Sequence, residues 1–120
     1  MRILVFYGSV RRHRQGIKAA RFVVREMEKR GHEADLIDPL EYDFGLLDLM
    51  YKEYEEDKKP AKMKELAEKI LEADGFIVVS GEYNHSIPPA LSNLMDHFLE
   101  EYFFRPCGIV AYSKGRFSGA

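Results

Sequence analysis

The sequence lacks several features that define whole classes of protein. It has one cysteine and no tryptophan among 120 residues. A single cysteine excludes an intrachain disulfide framework and a cysteine-based metal cluster, so a reducing, cytoplasmic compartment is the simplest expectation. No run approaches the roughly 20 apolar residues that a membrane helix needs. Gly8 interrupts the apolar N-terminal run, which is too short to indicate a signal peptide.

The chain also lacks a large excess of charge of either sign. The 18 Lys and Arg residues oppose 20 Asp and Glu residues, and the net charge is −2. Bulk electrostatics therefore does not indicate nucleic-acid binding, and we expect neither nucleic acid nor a membrane as a partner. The charge is nevertheless uneven, because residues 11–14 are rich in arginine and residues 53–57 are acidic. The acidic run is typical of a solvated loop.

Short apolar runs alternate with amphipathic segments along the whole chain. This alternation predicts an α/β fold, with a parallel sheet covered on both faces by helices. The order is βαβαβαβ, and residues 38–59 form a long loop without a clear period. Strands are predicted at 2–7, 32–37, 76–79 and 107–112, and helices at 16–30, from Pro60 to Leu71, and from Pro88 to Tyr102.

The pattern stops where another helix would begin, at residues 117–120. Doubly wound α/β domains normally continue with that helix and a fifth strand. We therefore expect a single domain over residues 1–120 that lacks its C-terminal part, with the fourth strand as an exposed edge. A minimal four-stranded domain is the alternative.

Three polar loops follow the strands at the carboxyl edge, where open α/β sheets bind their ligands. The first loop, residues 8–16, has Ser9 and Gln15 for neutral hydrogen bonds and Arg11 and Arg14 for charge. This set suits a phosphate at a helix N-terminus, although an ordinary strand-to-helix turn stays open on spacing alone. The loop matches neither the ATPase phosphate loop nor the dinucleotide fingerprint.

The second loop, residues 81–89, concentrates Tyr, Asn, His and Ser before two prolines. Such a loop can present an aromatic face and fixed polar groups to a planar ligand, and a proline-braced turn is the alternative. The third loop, residues 112–119, is glycine-rich and a weaker signal. One flavin mononucleotide could contact all three loops. Asp38 is a weak candidate for the acidic residue that an NAD ribose requires.

These loops resemble those of the NAD(P)H-dependent FMN reductase family, the flavodoxin-like group that includes quinone, azo-dye and chromate reductases. The resemblance implies a sheet order of 2-1-3-4 and a fifth strand after residue 120. The family usually has proline where this chain has Gly81. The matching motifs are Gly8-Ser9-x-Arg11-x-x-Arg14-x-Gly16, Glu82-Tyr83-Asn84-His85-Ser86-Ile87-Pro88 and Tyr112-Ser113-x-Gly115-x-Phe117-x-Gly119.

The resemblance implies FMN as the cofactor and NAD(P)H as the co-substrate, with no metal and no catalytic side chain. The phosphate would be held in the first loop, the ribityl chain and isoalloxazine edge in the second, and the pyrimidine end in the third. The cofactor-binding residues would be Ser9, Arg11, Arg14, Gln15, Gly16 and Ile17, then Glu82, Tyr83, Asn84 and Ser86, and finally Ser113 and Gly115.

The function implied is hydride transfer from NAD(P)H to FMN and then to a small acceptor, which could be a free flavin, a quinone, an azo compound or a metal oxyanion. Arg12, Arg14 or Arg116 could bind the 2′-phosphate of NADPH. Family members are homodimers or homotetramers, with residues 38–59 and the helix from Pro88 as interface elements. The alternatives are a flavodoxin-like electron carrier and a truncated fragment without turnover. The arginines favour the reductase, because flavodoxins use a Ser/Thr-rich phosphate loop.

Four further residues have expectations of their own. Cys107 is expected to be a buried structural thiol, because nothing nearby in the sequence would lower its pKa. His97 is expected to pack in the core or at an interface, and His32 to be exposed. His85 lies in the second loop and could approach a substrate.

Overall fold

The computed structural model describes residues 1–117 and 119–120. Four parallel strands form one sheet in the order β2-β1-β3-β4, which confirms the expected α/β class and strand order. The elements are β1 (Arg2–Tyr7), α1 (Ile17–Lys29), β2 (Glu33–Ile37), α2 (Ala61–Glu72), β3 (Gly75–Gly81), α3 (Pro89–Asp96) and β4 (Cys107–Tyr112).

Alternate side chains of the central strands enter two separate cores, because successive residues of a strand point to opposite faces. Val5 and Tyr7 of β1 pack with α1 on one face, while Leu4 and Phe6 pack with α2 and α3 on the other. The residues that complete the α1 core are Ala20, Val23 and Val79. The central strands β1 and β3 are therefore fixed from both sides, and their carboxyl ends are held rigidly.

The helices begin where the sequence predicts, but their apolar faces differ in detail. Pro60 lies directly before α2, and Gly31 follows α1 with a φ of 82° that favours glycine. The apolar residues Met63, Leu66, Ala67 and Ile70 of α2 are buried, whereas Leu71 is 52% exposed. Leu71 follows Ile70 directly, so the two side chains point about 100° apart on the helix and only one can face the sheet.

Helix α3 ends at Asp96, earlier than the expected end at Tyr102. Three residues farther on, Leu99 is far from helical geometry (φ −145°, ψ −74°), and its N–H donates to the Glu101 carboxylate at 2.9 Å. A short 3-10 turn follows at Glu100–Tyr102. Phe98 is buried, whereas Leu99 is exposed, because the break turns it away from the core.

The aromatic residues after α3 divide between core and surface. Tyr102 packs against Phe76 and Phe98, whereas Phe103 and Phe104 are exposed. His97 is buried as expected, with its Nδ1 2.6 Å from the Asn93 carbonyl oxygen.

Strand β4 lies at an edge of the sheet and is largely exposed, as expected. Cys107 begins this strand and is exposed, so the expectation of a buried thiol is wrong. The first four residues of β4, Cys107 to Val110, are all exposed. His32 is half-buried rather than exposed, because its Nδ1 lies 3.4 Å from the N-terminal amine. No helix in the described part of the chain is long and apolar enough to cross a membrane.

Candidate functional site

The first loop is connected to the second through the side chain of Ser9. Ser9 follows β1 and is buried, and its Oγ accepts hydrogen bonds from the Arg11 N–H at 3.2 Å and the Tyr83 hydroxyl at 3.0 Å. A serine hydroxyl accepts two hydrogen bonds and donates one. With Tyr83 as the donor of the bond between the two hydroxyls, the Ser9 proton can be donated to a ligand.

The N-terminus of α1 is open to an anion. Gly16 precedes the helix without a side-chain cap, and the first turn contains no acidic residue. The first backbone bonds run from Lys18 to Gln15 and from Ala19 to Gly16. The N–H groups of Gly16 and Ile17 precede that ladder, as the unpaired donors of a helix start do. These donors and the helix dipole favour a bound anion at this position.

Arg14 is held by an ion pair instead of facing this helix start. Its Nη1 donates to the Ser9 carbonyl oxygen at 3.0 Å and to Asp38 Oδ1 at 2.6 Å, and its Nη2 donates to Asp38 Oδ2. The guanidinium also lies 5.4 Å from the centre of the Tyr7 ring. Asp38 Oδ1 accepts a further bond from the Leu40 N–H at 3.0 Å. Arg14 therefore joins the loop after β1 to the loop after β2.

Both members of this pair favour their charged forms. Burial alone would raise the pKa of Asp38, but the hydrogen bonds from Arg14 and the Leu40 N–H outweigh it and lower that pKa. The hydrogen bonds to Asp38 raise the pKa of Arg14 despite its burial. Asp38, the weak candidate for an NAD ribose, therefore has both carboxylate oxygens engaged within the protein.

The second loop forms a tight hairpin-like turn that sequence reasoning did not predict. Tyr83 and Ser86 pair through two backbone hydrogen bonds of 3.0 Å. The two residues between them, Asn84 and His85, have φ values of 51° and 61°, as in a type I′ turn. Asn84 was a signal for this geometry, whereas His85 at a positive φ was not. The Glu82 carboxylate lies 3.0 Å from His85 Nδ1 and pairs with it when the ring is protonated.

Tyr112, the last residue of β4, connects the third loop to the first and second loops. The ring of Tyr112 lies against Gly81 and against Gly16, where a Cβ would overlap the Tyr112 hydroxyl. Tyr112 thus approaches the backbone of Gly16 closely. Burial, Tyr7 and Tyr83 raise the pKa of Tyr112. The Tyr7 hydroxyl beside it is buried and has no hydrogen-bond partner among the residues described.

The third loop is the most exposed part of the site. The Gly115 N–H donates to Ser113 Oγ at 3.1 Å, so this part of the loop is closed on itself. The Gly119 N–H donates to Glu82 Oε2 at 3.4 Å and thereby connects the third loop to the second. Ser118, which the sequence placed in this loop, lies outside the described residues.

The structure gathers all three loops at the carboxyl edge of the sheet, but the predicted binding residues differ in accessibility. Ser9 is buried, and each of the three loops contributes at least one exposed residue. The half-buried residues are Arg14, Gly16, Ile17, Glu82, Tyr83 and Ser113, and the exposed residues are Arg11, Gln15, Asn84, Ser86 and Gly115.

These groups fit a flavin mononucleotide. An uncapped helix start and the Ser9 hydroxyl supply donors where a phosphate would lie. The turn at residues 83–86 supplies an aromatic ring and amide groups at the next strand end. Sequence reasoning named Tyr112 in the third motif but did not predict its contacts with Gly16 and Gly81, because these depend on which strand ends are neighbours in space.

Comparison with known proteins agrees with this arrangement. Residues 1–120 match the family described as NADPH-dependent FMN reductase. The FMN-dependent NADPH-azoreductase of Staphylococcus aureus (strain USA300) is 28% identical over 116 residues, which are 96% of this chain and 62% of the azoreductase. The chain therefore spans less than two thirds of that relative.

Solved structures show the same fold. The flavoenzyme NAD(P)H:(acceptor) oxidoreductase FerB from Paracoccus denitrificans superposes with a TM-score of 0.66 at 22% identity, over 90% of this chain and 58% of FerB. An azoreductase from Bacillus anthracis superposes with a TM-score of 0.54 at 19% identity, over 80% of this chain and 54% of the azoreductase. Since the family match covers the whole chain, this protein belongs to the NADPH-dependent FMN reductase family.

Proposed function

We propose that this chain is an oxidoreductase that binds FMN at the carboxyl edge of its sheet and reduces a small acceptor with NAD(P)H. The observation that supports this most is the hydrogen bond from the Tyr83 hydroxyl to Ser9 Oγ. It joins a loop suited to a phosphate to a loop suited to a planar ring. The family match and the azoreductase relative support the same reading.

The first loop is proposed to hold the flavin phosphate. Ser9 would donate its hydroxyl proton, and the N–H groups of Gly16 and Ile17 would face the phosphate from the start of α1. Arg11 and Gln15 are exposed and can turn toward the anion. Phosphate oxygens bound by several charged or backbone donors form strong, oriented contacts.

The second and third loops are proposed to hold the rest of the cofactor. Glu82, Tyr83, Asn84 and Ser86 would line the ribityl chain and the edge of the ring, and Ser113 and Gly115 its pyrimidine end. When bound, FMN supplies the hydride-transfer chemistry, and the protein positions it and adjusts its electronics. We therefore assign no catalytic side chain and no metal.

Arg12 and Arg116 are proposed to meet the 2′-phosphate of NADPH. Both are exposed, and neither has an ion pair within the described residues. Arg14 is no longer a candidate, because Asp38 engages its guanidinium. Charge reversal at Arg12 or Arg116 should reduce the preference for NADPH over NADH, and an unchanged preference would contradict the assignment.

An apolar surface supports a homodimer or homotetramer as the working form. Leu46 is 89% exposed and lines an apolar cavity of about 520 Å³ between the segment after β2 and the start of α3. Leu40 lines the same cavity and is also exposed. Exposed apolar patches of this kind mark interaction surfaces. Sedimentation at several protein concentrations tests the assembly, and a monomer throughout would contradict it.

The first experiment is a titration of the purified chain with FMN, followed by quenching of flavin fluorescence, with riboflavin as the matched control. We expect FMN to bind at least tenfold more tightly, about 1.4 kcal/mol, because only FMN has the phosphate. Equal affinities would overturn the phosphate site. Absence of binding by a folded chain would overturn the proposed function.

Oxidation of NAD(P)H by the FMN-loaded chain then separates the reductase from an electron carrier. A reductase oxidises the nicotinamide in the absence of a protein partner, whereas a flavodoxin-like carrier does not. The azoreductase relative makes an azo dye the first acceptor to try, and a quinone the second.

A further inference from the structure

The bidentate pair of Arg14 and Asp38 closes the first loop in a way that direct phosphate binding does not explain. Arg14 reaches back over the loop to the Ser9 carbonyl oxygen at 3.0 Å, while both carboxylate oxygens of Asp38 hold the guanidinium. The side chains are 17% and 9% exposed, respectively. The charge of Arg14 is thus cancelled in a partly dehydrated environment before any ligand arrives.

The pair fixes the backbone conformation of Ser9. The carbonyl oxygen of Ser9 bonds to Arg14, and its Oγ accepts the Arg11 N–H, so both polar groups of Ser9 are held from within the loop. Asp38 is itself fixed, because its Oδ1 accepts the Leu40 N–H at 3.0 Å. The position of the Ser9 hydroxyl therefore depends, through Arg14, on a residue that follows a different strand.

We propose that Asp38 is a positioning residue for the flavin phosphate, which acts through Arg14 by holding the first loop in its binding conformation. The inference rests on the proposed function. It also assigns Arg14 a different part from the phosphate ligand that its sequence position suggests. Arg14 supports the loop, and the anion is left to Ser9, the helix N-terminus and the exposed Arg11.

The two roles of Arg14 predict opposite effects of removing the Asp38 charge. If Arg14 were a phosphate ligand, Asp38 would compete with the phosphate, and its loss would strengthen FMN binding. If the pair supports the loop, loss of one partner leaves a buried guanidinium without compensation and loosens the backbone around Ser9. FMN binding then weakens, while riboflavin, which lacks the phosphate, is little affected.

The experiment compares Asp38→Asn with Asp35→Asn. Asp38→Asn has the same shape and keeps an acceptor for the Leu40 N–H. Asp35 is the matched control, because it lies on β2, the strand that Asp38 follows, and pairs with Lys69 at 2.8 Å, away from the first loop. We expect Asp38→Asn to raise the Kd for FMN about tenfold, equivalent to about 1.4 kcal/mol, and to leave the Kd for riboflavin within about twofold. Asp35→Asn should change neither value.

A second variant and a second measurement keep the test decisive. Arg14→Lys keeps the positive charge but cannot form the planar two-pronged contact, so it should weaken FMN binding in the same direction. In the ligand-free protein, amide hydrogen exchange over residues 10–16 should be faster in Asp38→Asn than in Asp35→Asn. Circular dichroism establishes that each variant is folded.

The outcomes distinguish the proposed function from the positioning role of Asp38. Tighter or unchanged FMN binding by Asp38→Asn overturns the positioning role. If the unsubstituted chain does not bind FMN, the proposed function is overturned, and the exchange measurement alone judges whether Asp38 orders the loop. Unchanged exchange in Asp38→Asn would then overturn that ordering as well.

Discussion

At the scale of single residues, Gly16 shows that a glycine can be required by space alone. Its φ and ψ of −62° and −17° are accessible to any residue, so backbone freedom does not explain it. The constraint comes from Tyr112, whose hydroxyl occupies the place that a Cβ at position 16 would take. The start of α1 can approach Tyr112 this closely only because Gly16 has no side chain.

Gly16→Ala should therefore destabilise the fold. Overpacking of this kind costs about 1–3 kcal/mol in the free energy of unfolding, which urea denaturation measures. Gly108→Ala is the matched control, because its Cβ would lie 3.9 Å from Ile77, an ordinary contact. In a Tyr112→Leu background the cost of Gly16→Ala should largely disappear. An equal cost in both backgrounds would show that Tyr112 is not the cause.

At the scale of an element, the turn at residues 83–86 combines order with strain. Its two central residues both have positive φ, and His85 adopts this region at a higher cost than glycine would. The side chain of His85 is 97% exposed, so packing does not offset this cost. The two backbone hydrogen bonds between Tyr83 and Ser86 hold the turn in this conformation.

His85→Gly should raise the free energy of unfolding by up to about 1 kcal/mol, because a left-handed conformation costs other residues roughly that much. Thermal denaturation followed by circular dichroism measures the change. His85→Ala is the control: it removes the ring and its contact with Glu82 but keeps the strained backbone. If alanine stabilises as much as glycine, the ring rather than the backbone is the source of the strain.

Some of these elements could be predicted from the sequence and others could not. Strand positions and helix starts follow from apolar runs, glycines and prolines, which act locally. The end of α3 could not be predicted, because the Glu101 carboxylate binds the Leu99 N–H and interrupts a continuing apolar period. At the site, the motifs placed the three loops correctly. The pairing of Arg14 with Asp38 depends on two strands being neighbours, which spacing does not specify.

At the scale of the whole molecule, the ion pair of Arg14 and Asp38 connects stability to pH. The pKa of Asp38 is lower in the folded chain than its ordinary value of 3.8, because Arg14 and the Leu40 N–H stabilise the carboxylate. A carboxyl group with a lowered folded pKa contributes stability above its unfolded pKa. That contribution is lost as the pH falls through the folded value.

Urea denaturation should accordingly show a falling free energy of unfolding as the pH drops below about 4. The slope should be shallower in Asp38→Asn, which has no carboxyl group to titrate at this position. Glu26→Gln is a useful comparison, because the Glu26 pKa is also lowered, by Lys29 and Arg30, but on an exposed surface. Added salt should weaken the Glu26 effect more than that of Asp38. Identical slopes in Asp38→Asn and the unsubstituted chain would contradict the assignment.

The contact between Tyr112 and Gly16 has a consequence for the order of folding. Nearly the whole chain separates these two residues, and contacts with such long sequence separation form late because the closure of a long loop is entropically costly. A chain made from its N-terminus can fold β1, α1 and β2 before β4 has been synthesised. At that stage the start of α1 has its unpaired N–H groups but not its contact with Tyr112. The packing around Gly16 is thus completed only once β4 has joined the sheet.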